Sequence, residues 1–423
     1  MSDPAPAVTQ SQILVAGGGI AGLAAATALA RAGWRVVLAE RRPDLGIADG
    51  GDGLPPPALG AGIQISPNAS RCLEALGALT MVADRAFRPE AATLREGRSG
   101  RVIYRAALGP AAEARWGAPY LHVHRADLIE ALATAARVAG VDIREGAAVE
   151  VVRNDANGPV SANIGATAIE ADLLVLADGL GSRLRTQLFG EAPRRFTGQT
   201  AWRAVLQAEA LPPAARMAPE ATVWAAPGRH LVTYYLRGGS LLNIVAVEEA
   251  SRWDGEDWTM EGDPARLRTA FAGLHPSVEA LLEAVETCSL WGLFERPMPP
   301  SWHTGRAVLI GDAVHAMLPF MAQGAAMALE DAVALARALG QPSAAAQDAA
   351  TALKAYEAAQ RPRVERVMRT SRANGTLFHR GPGLRRTFDH ALIGTVSRLA
   401  PNIAAGRLDW LYGHDATAPQ VRT

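Results

Sequence analysis

Apolar and polar positions fall into blocks from the start of the chain. Ile13 to Ala16 is a short apolar run that ends in glycines, an Ala/Leu pattern at helical spacing follows as far as Gly33, and Trp34 to Ala39 is a second apolar run closed by Glu40. Strand, glycine turn, helix and strand within about 30 residues predict a βαβ unit with a right-handed crossover, the opening of a doubly wound sheet. Leu173 to Ala177 and Arg306 to Ile310 are further apolar runs of the buried-strand kind. From about 198 to 248 the texture changes to short β-type segments, TAWRAVLQ, ATVWAAP, HLVTYYL and SLLNIVAVEE, parted by Gly and Pro turns, which predict an antiparallel sheet. Residues 92 to 106 alternate around Arg98-Ser99-Gly100 like a hairpin. Arg125 to Ala139 and Gly324 to Leu339 read as helices, and the last 80 residues as mostly helical. Ala48 to Gly62, rich in Gly, Pro and Asp, reads as a surface excursion.

The resulting expectation is an α/β fold in which a Rossmann-like dinucleotide-binding domain is interleaved with an antiparallel-sheet domain and followed by C-terminal helices. The boundaries fall at 1–75, 105–190 and 300–340 for the first, 76–104 and 191–299 for the second, and 341–423 for the helical region.

Composition narrows the partners. The 423 residues are 49% hydrophobic and 20% charged, enough for one large core or two medium ones. Lys plus Arg equals Asp plus Glu at 42 each, so no bulk field would hold nucleic acid or an anionic membrane. The N-terminal MSDPAPAVTQSQ lacks the basic-then-apolar order of a signal peptide, and Ile20 to Ala32 is too short for a span of roughly 20 residues, so a cytoplasmic protein without membrane insertion is expected. Cys72 and Cys288 form no CxxC pair, which fits a reducing compartment and argues against a flavin-linked dithiol reductase.

Gly17-Gly18-Gly19-Ile20-Ala21-Gly22 is a GxGxxG set between strand and helix, with Glu40 at the end of the next strand. Gly17 permits the tight turn, Gly19 lets backbone approach a pyrophosphate, Gly22 lets helix and strand pack, and Glu40 can bind ribose hydroxyls. Two acidic turns follow the later buried strands, at Asp178-Gly179 and at Gly311-Asp312. Acidic strand ends clustered along one sheet edge suit FAD, whose ribitol reaches past the first βαβ unit.

The block from Gly311-Asp312 through His315 and Pro319-Phe320 to the glycine-opened helix at Gly324-Ala325 is long and ordered. With the GxGxxG, Asp178-Gly179, GAGIQISPNA (60–69), His124-Arg125-Ala126-Asp127-Leu128 and Arg361-Pro362-Arg363, it resembles the single-component FAD-dependent aromatic hydroxylases, the group of salicylate, 3-hydroxybenzoate and 6-hydroxynicotinate hydroxylases. The resemblance runs nearly the full chain. It implies that Asp312 binds the FAD ribitol, that Asp178 serves the groove shared by pyrophosphate and nicotinamide, and that Arg125 contacts FAD near its diphosphate, with Arg41 beside Glu40. Gly324 and Ala325 would turn a helix N-terminus toward the isoalloxazine. No second GxGxxG follows a strand, so NADH or NADPH would dock without a domain of its own. The implied cycle is reduction of FAD by NAD(P)H, addition of O2, and attack of the resulting flavin hydroperoxide on a small aromatic or heteroaromatic ring.

For ionising a ring hydroxyl, His230 and Tyr234 are the candidates, because a spacing of four in a strand puts both on one face. Pro319 and Phe320 are expected in the same pocket, and Phe320, where relatives carry a polar residue, makes it more apolar. Arg203 and Arg237 could meet a carboxylate, although surface ion pairs are the commoner use of arginine. His122 and His124 lack further ligands at zinc spacing, so no metal site is expected. Gly181-Ser182-Arg183 reads as a helix cap, Arg361, Arg363, Arg366, Arg369 and Arg372 as a solvated face, and the scattered tryptophans as core. A homodimer is compatible with the sequence. Two other readings stay open: oxygenation of a larger lipid-like or polyketide ring, and an FAD reductase or sensor without oxygenase turnover.

Overall fold

The computed structural model describes residues 11–45, 62–155, 158–255, 259–342, 349–399 and 406–418; the excursion expected from Ala48 lies, as far as residue 61, outside them. The first large sheet has six strands in the order His303–Thr304, Ala307–Leu309, Leu173–Leu176, Gln12–Ala16, Arg35–Ala39, Asp142–Arg144. All neighbours are parallel except the first pair, and Ile13 stands between Leu173 and Val36 in register. Ile13, Leu14 and Val15 are fully buried because helices cover the sheet and Val160, Ala162 and Ile164 of a smaller sheet join the same core, which is why these strands read as unbroken apolar runs. The helices Ile20–Arg31, Arg125–Val138 and Gly324–Leu339 pack together as that cover.

The second large sheet has eight strands: Thr259–Gly262, Cys288–Glu295, Arg195–Gln207, Leu241–Glu249, Arg229–Leu236, Ala221–Ala226, Ala91–Glu96 and Val102–Ala107. The expected hairpin over 92–106 supplies its last two strands, joined through Arg98-Ser99-Gly100. One pairing departs from the all-antiparallel expectation: Ala91–Glu96 runs parallel to Ala221–Ala226. The hairpin arrives from a much earlier stretch of chain and is added at the sheet edge, so no tight turn sets its direction. Smaller sheets pair Gly62–Ile65 with Leu121–His124, and join Val149–Arg153, Val160–Ile164 and Thr167–Ala171. The chain therefore passes repeatedly between the two large sheets, and a cavity forms where they face each other. No helix of the described residues is long and apolar enough to cross a membrane.

The C-terminal region holds the helices Ala349–Phe378, Leu384–Leu399 and Asp409–Tyr412. Its arginines correct the expectation of a uniformly solvated face. Arg363 is only 10% exposed and binds the fully buried Glu330 at 2.5 and 2.8 Å, while donating to the carbonyls of Trp410 and Leu411. Glu330 also accepts from Asn68 Nδ2 at 2.7 Å. A helical wheel misses this because the partner lies 33 residues away on another helix. Removing one member of a buried pair leaves the other charge unmatched, so Glu330→Ala is expected to cost about 3–5 kcal/mol, read as a lower denaturation midpoint. An unchanged midpoint would show that Arg363 finds sufficient partners in its two carbonyls.

Candidate active site

The cavity has a volume of about 1380 Å³, more than the roughly 300–1,000 Å³ of a drug-sized pocket, and room for a dinucleotide with a small molecule beside it. Its first section is built by the opening βαβ unit. Gly17 has φ +113°, and a β-carbon there would lie 2.5 Å from Ala177 O; one on Gly22 would lie 1.8 Å from Gly17 O. Gly22 therefore acts from outside the cavity, letting the helix press onto the strand end. Gly17, Gly19, Ala21, Glu40 and Arg41 line the cavity itself. No side chain caps the Ile20–Arg31 helix at Gly19, so its first N–H groups remain for a ligand. Glu40 accepts from the backbone N–H of Gly18 at 2.6 Å and of Arg42 at 2.9 Å, which fixes the carboxylate at the rim.

The middle section collects the two acidic turns. Asp178 lines the cavity, and its Oδ1 is buried without a hydrogen-bond partner among the described residues. Burial, only partly offset by Ser182 and backbone donors, holds its carboxyl above the ordinary carboxylate range. Ser182 also caps the Arg183–Phe189 helix, accepting from Arg185 N at 2.9 Å, as expected. Gly311 has φ +57° and sits where a β-carbon would meet Ala21 Cβ at 2.8 Å; like Gly22 it shapes the wall without lining it. Its N–H donates to Asp331 Oδ2 at 2.8 Å, and His315 Nε2 lies 2.6 Å from the same oxygen. Burial works against charge on His315, yet Asp331 and Asp312 leave its pKa raised. This buried pair fixes the turn that carries Asp312 into the cavity. Arg125 lines the cavity beside Asp312: burial lowers its pKa, and the Asp312 charge opposes the shift. Gly324 and Ala325, also lining, open a 16-residue helix that has no side-chain cap. The preceding Gln323 is engaged elsewhere, with Ser66 and Asn68.

The far section is apolar. His230, Tyr234, Pro319 and Phe320 all line it, with Val232 between the first two on the same strand face. Phe320 stands edge-on to His230 at 5.2 Å, and His230 Nδ1 lies 2.6 Å from His379 Nε2. Burial, reinforced by His379, holds the His230 pKa well below its ordinary value, so the ring is neutral at pH 7. Burial raises the Tyr234 hydroxyl, with Arg203 pulling the other way.

Trp291 departs from the sequence reading, and Arg203 and Arg237 divide between them the two uses left open for an arginine. Arg203 lines the cavity and lies over the Trp291 ring at 4.2 Å, forming no ion pair with a carboxylate among the described residues. Burial lowers its pKa, and so does the Arg125 charge. Trp291 likewise lines the cavity and is not core, whereas Trp202 and Trp302 are fully buried. Arg237 is the structural ion-pair member, bidentate to Asp127 at 2.9 and 3.0 Å. His379 lies 149 residues from its partner and carries no local signal in the sequence.

His122 and His124 are put to structural use. His124 Nδ1 caps the Arg125–Val138 helix, and the His122 ring packs among Phe87, Tyr120 and Tyr234. Burial lowers the His122 pKa to about 3. Because an unfolded histidine titrates near 6.5, the unfolded chain binds a proton that the fold excludes, and stability falls as pH drops from about 6.5 toward 3, by up to about 1.4 kcal/mol per pH unit from this residue. His122→Phe is expected to flatten that acid limb in denaturation midpoints taken between pH 7 and 4; an unaltered slope would contradict it.

The residues present fit FAD. An orphaned acidic oxygen, a glycine cradle and two uncapped helix N-termini line one elongated space, and each is a feature that a diphosphate, ribitol and isoalloxazine would satisfy. Residues 10–371 match the family model of the FAD binding domain. The chain is also 36% identical over 405 residues, 96% of each chain, to 3-amino-4-hydroxybenzoate 2-monooxygenase of Streptomyces platensis. The chain belongs to the FAD-dependent aromatic hydroxylase family. Another member of this family, 3-hydroxybenzoate 6-hydroxylase of Klebsiella oxytoca, is 33% identical over 95% of this hydroxylase and 96% of its own length. The 6-hydroxynicotinate 3-monooxygenase of Bordetella bronchiseptica is 37% identical, covering 86% and 91%. Among solved structures, a salicylate hydroxylase substrate complex superposes with a TM-score of 0.78 at 26% identity over 96% of each chain. The hydroxylase is thus a flavoprotein monooxygenase with FAD as its cofactor.

Proposed function

We propose that this hydroxylase inserts one oxygen atom of O2 into a small hydroxylated aromatic or heteroaromatic carboxylate, in the cytoplasm, with NADH or NADPH as a transiently docked reductant. The observation that carries the reading is the continuity of the cavity: the residues suited to FAD run into an apolar chamber containing a neutral histidine, a tyrosine and a cation. Residues 1–75, 105–190 and 300–340 serve as the FAD-binding unit, 76–104 and 191–299 as the substrate unit, and 341–423 as a helical closure.

FAD, once reduced by NAD(P)H, supplies the activation of dioxygen. Glu40 and Arg41 hold the adenosine end, Arg125 and the Gly17–Ala21 turn the diphosphate, Asp312 the ribitol, and Gly324 with Ala325 the pyrimidine edge. Phe320, Val232 and Val247 exclude water from the chamber. A free phenol titrates near 10, so the neutral His230 ring accepts its proton at a much lower cost than water would. Tyr234, kept protonated by burial, donates to the same ring oxygen. Arg203 faces the substrate carboxylate with its charge. The named substrates of the relatives support this assignment, since each carries a ring hydroxyl and a carboxylate.

The test is NADH and NADPH oxidation by the purified holoenzyme with a panel of hydroxylated benzoates and pyridine carboxylates, following oxygen uptake and product mass. A compound that speeds oxidation and gains one oxygen is expected. Indifference to the whole panel would move the reading to a larger ring or to a flavoprotein without oxygenase turnover.

A further inference from the structure

His230 does not end the polar chain that starts in the substrate chamber. Its Nδ1 is 2.6 Å from His379 Nε2, and His379 Nδ1 is 3.3 Å from Glu249 Oε1. The two rings are buried, whereas the Glu249 side chain is 60% exposed. The three groups come from three places: the Arg229–Leu236 strand, the residue just after the Ala349–Phe378 helix, and the end of the Leu241–Glu249 strand. Phe320 and Phe378 flank the His230 ring, so the chain of nitrogens runs through an otherwise apolar wall.

We propose that His379 and Glu249 form a proton exit from the chamber, carrying the phenolic proton of the substrate from His230 to solvent. This rests on the hydroxylase reading above. The order of hydrogen bonds fixes the tautomers. A carboxylate only accepts, so His379 donates Nδ1–H to Glu249 and offers the lone pair of Nε2. His230 must then donate Nδ1–H to that lone pair, which leaves Nε2 of a cavity-lining ring as the free base. On ionisation the substrate O–H bond breaks and His230 Nε2 gains the proton. His230 Nδ1 passes its own proton to His379 Nε2, and His379 Nδ1 passes its proton to Glu249, which loses it to water. One phenolate remains in the chamber and one proton enters solvent; no oxidant or reductant is involved.

The electrostatics agree with the geometry. Burial lowers both histidines, with His379 adding to the effect on His230 and Glu249 opposing it on His379, so neither ring traps the proton. Among the described residues, the titratable groups acting on the pair are each other and Glu249. His379 also sits at the C-terminal, electronegative end of a 30-residue helix, which favours transient positive charge there. His379 and Glu249 are positioning residues, acting on substrate through His230.

The test reads proton release into a weakly buffered indicator when oxidised holoenzyme is mixed with 3-hydroxybenzoate, with benzoate as the control that has no phenolic proton. The wild-type protein is expected to release about one proton per bound 3-hydroxybenzoate and none with benzoate. Glu249→Gln, an exposed and structurally mild change, is expected to slow release at least about tenfold, and His379→Gln more, with ligand affinity held within about threefold and the pH midpoint for ionisation of the bound phenol moved upward. Release at wild-type rate and midpoint in both variants would overturn the relay while leaving the hydroxylase reading intact. So would hydroxylation of 3-hydroxybenzoate with no proton released on binding. Failure of every panel phenol to bind or to be oxygenated would overturn both.

Discussion

Replacing His230 by alanine is expected to lower hydroxylation about 10²- to 10⁴-fold, the usual worth of a positioned general base, while the purified protein keeps its FAD. His230 stands in the apolar section, flanked by Phe320 and Phe378 and hydrogen-bonded to His379. The residues suited to FAD form the other two sections. Deleting the imidazole removes the proposed acceptor for the phenolic proton without touching the glycine turn, Asp178 or Asp312. Truncation also leaves a hole beside two aromatic rings, so His230→Gln, which keeps most of the volume, separates the packing cost from the proton transfer. Both variants should bind substrate yet turn it over slowly, with the loss in kcat. Turnover equal to wild type would return His230 to a packing role.

Asp312→Ala is expected to yield protein that purifies without yellow colour. Asp312 is exposed into the cavity, so its carboxylate is not a structural member of the core. The turn that presents it is held independently, by Asp331 on Gly311 N and His315. Losing hydrogen bonds from a charged group to a ligand costs about 1.5–3 kcal/mol, roughly 10- to 150-fold in FAD affinity. Titration of the apoprotein with FAD, alongside its denaturation midpoint, reads both quantities. A weakened affinity with an unaltered midpoint is the expected pair, and retained FAD at ordinary affinity would contradict the assignment of Asp312.

The first βαβ unit was legible from residues 13 to 40 because each step is local: apolar run, glycines at fixed spacing, helix, acid. Gly22 shows how far such reading goes, since the packing role expected from its motif position is met by the 1.8 Å approach that a β-carbon would make. The Gly311–Ala325 block was legible for the same reason. What stayed hidden depends on distant partners. An arginine in a strand is equally consistent with a surface ion pair, and only the closing of the eight-stranded sheet over the cavity sets Arg203 above Trp291. Arg363 looked solvated until helix packing brought Glu330 against it. The parallel insertion of Ala91–Glu96 is likewise a property of the assembled sheet. His379 gains its meaning from two strands more than a hundred residues away.

One cavity joins the residues suited to FAD to the apolar chamber proposed for the aromatic substrate. The most direct measurement is turnover under ¹⁸O2 with the panel phenol that best stimulates NAD(P)H oxidation, with product and hydrogen peroxide quantified together. One ¹⁸O atom in the ring of the product, with little peroxide, is the predicted result. Full recovery of consumed oxygen as hydrogen peroxide, with every phenol of the panel returned unlabelled, would contradict it.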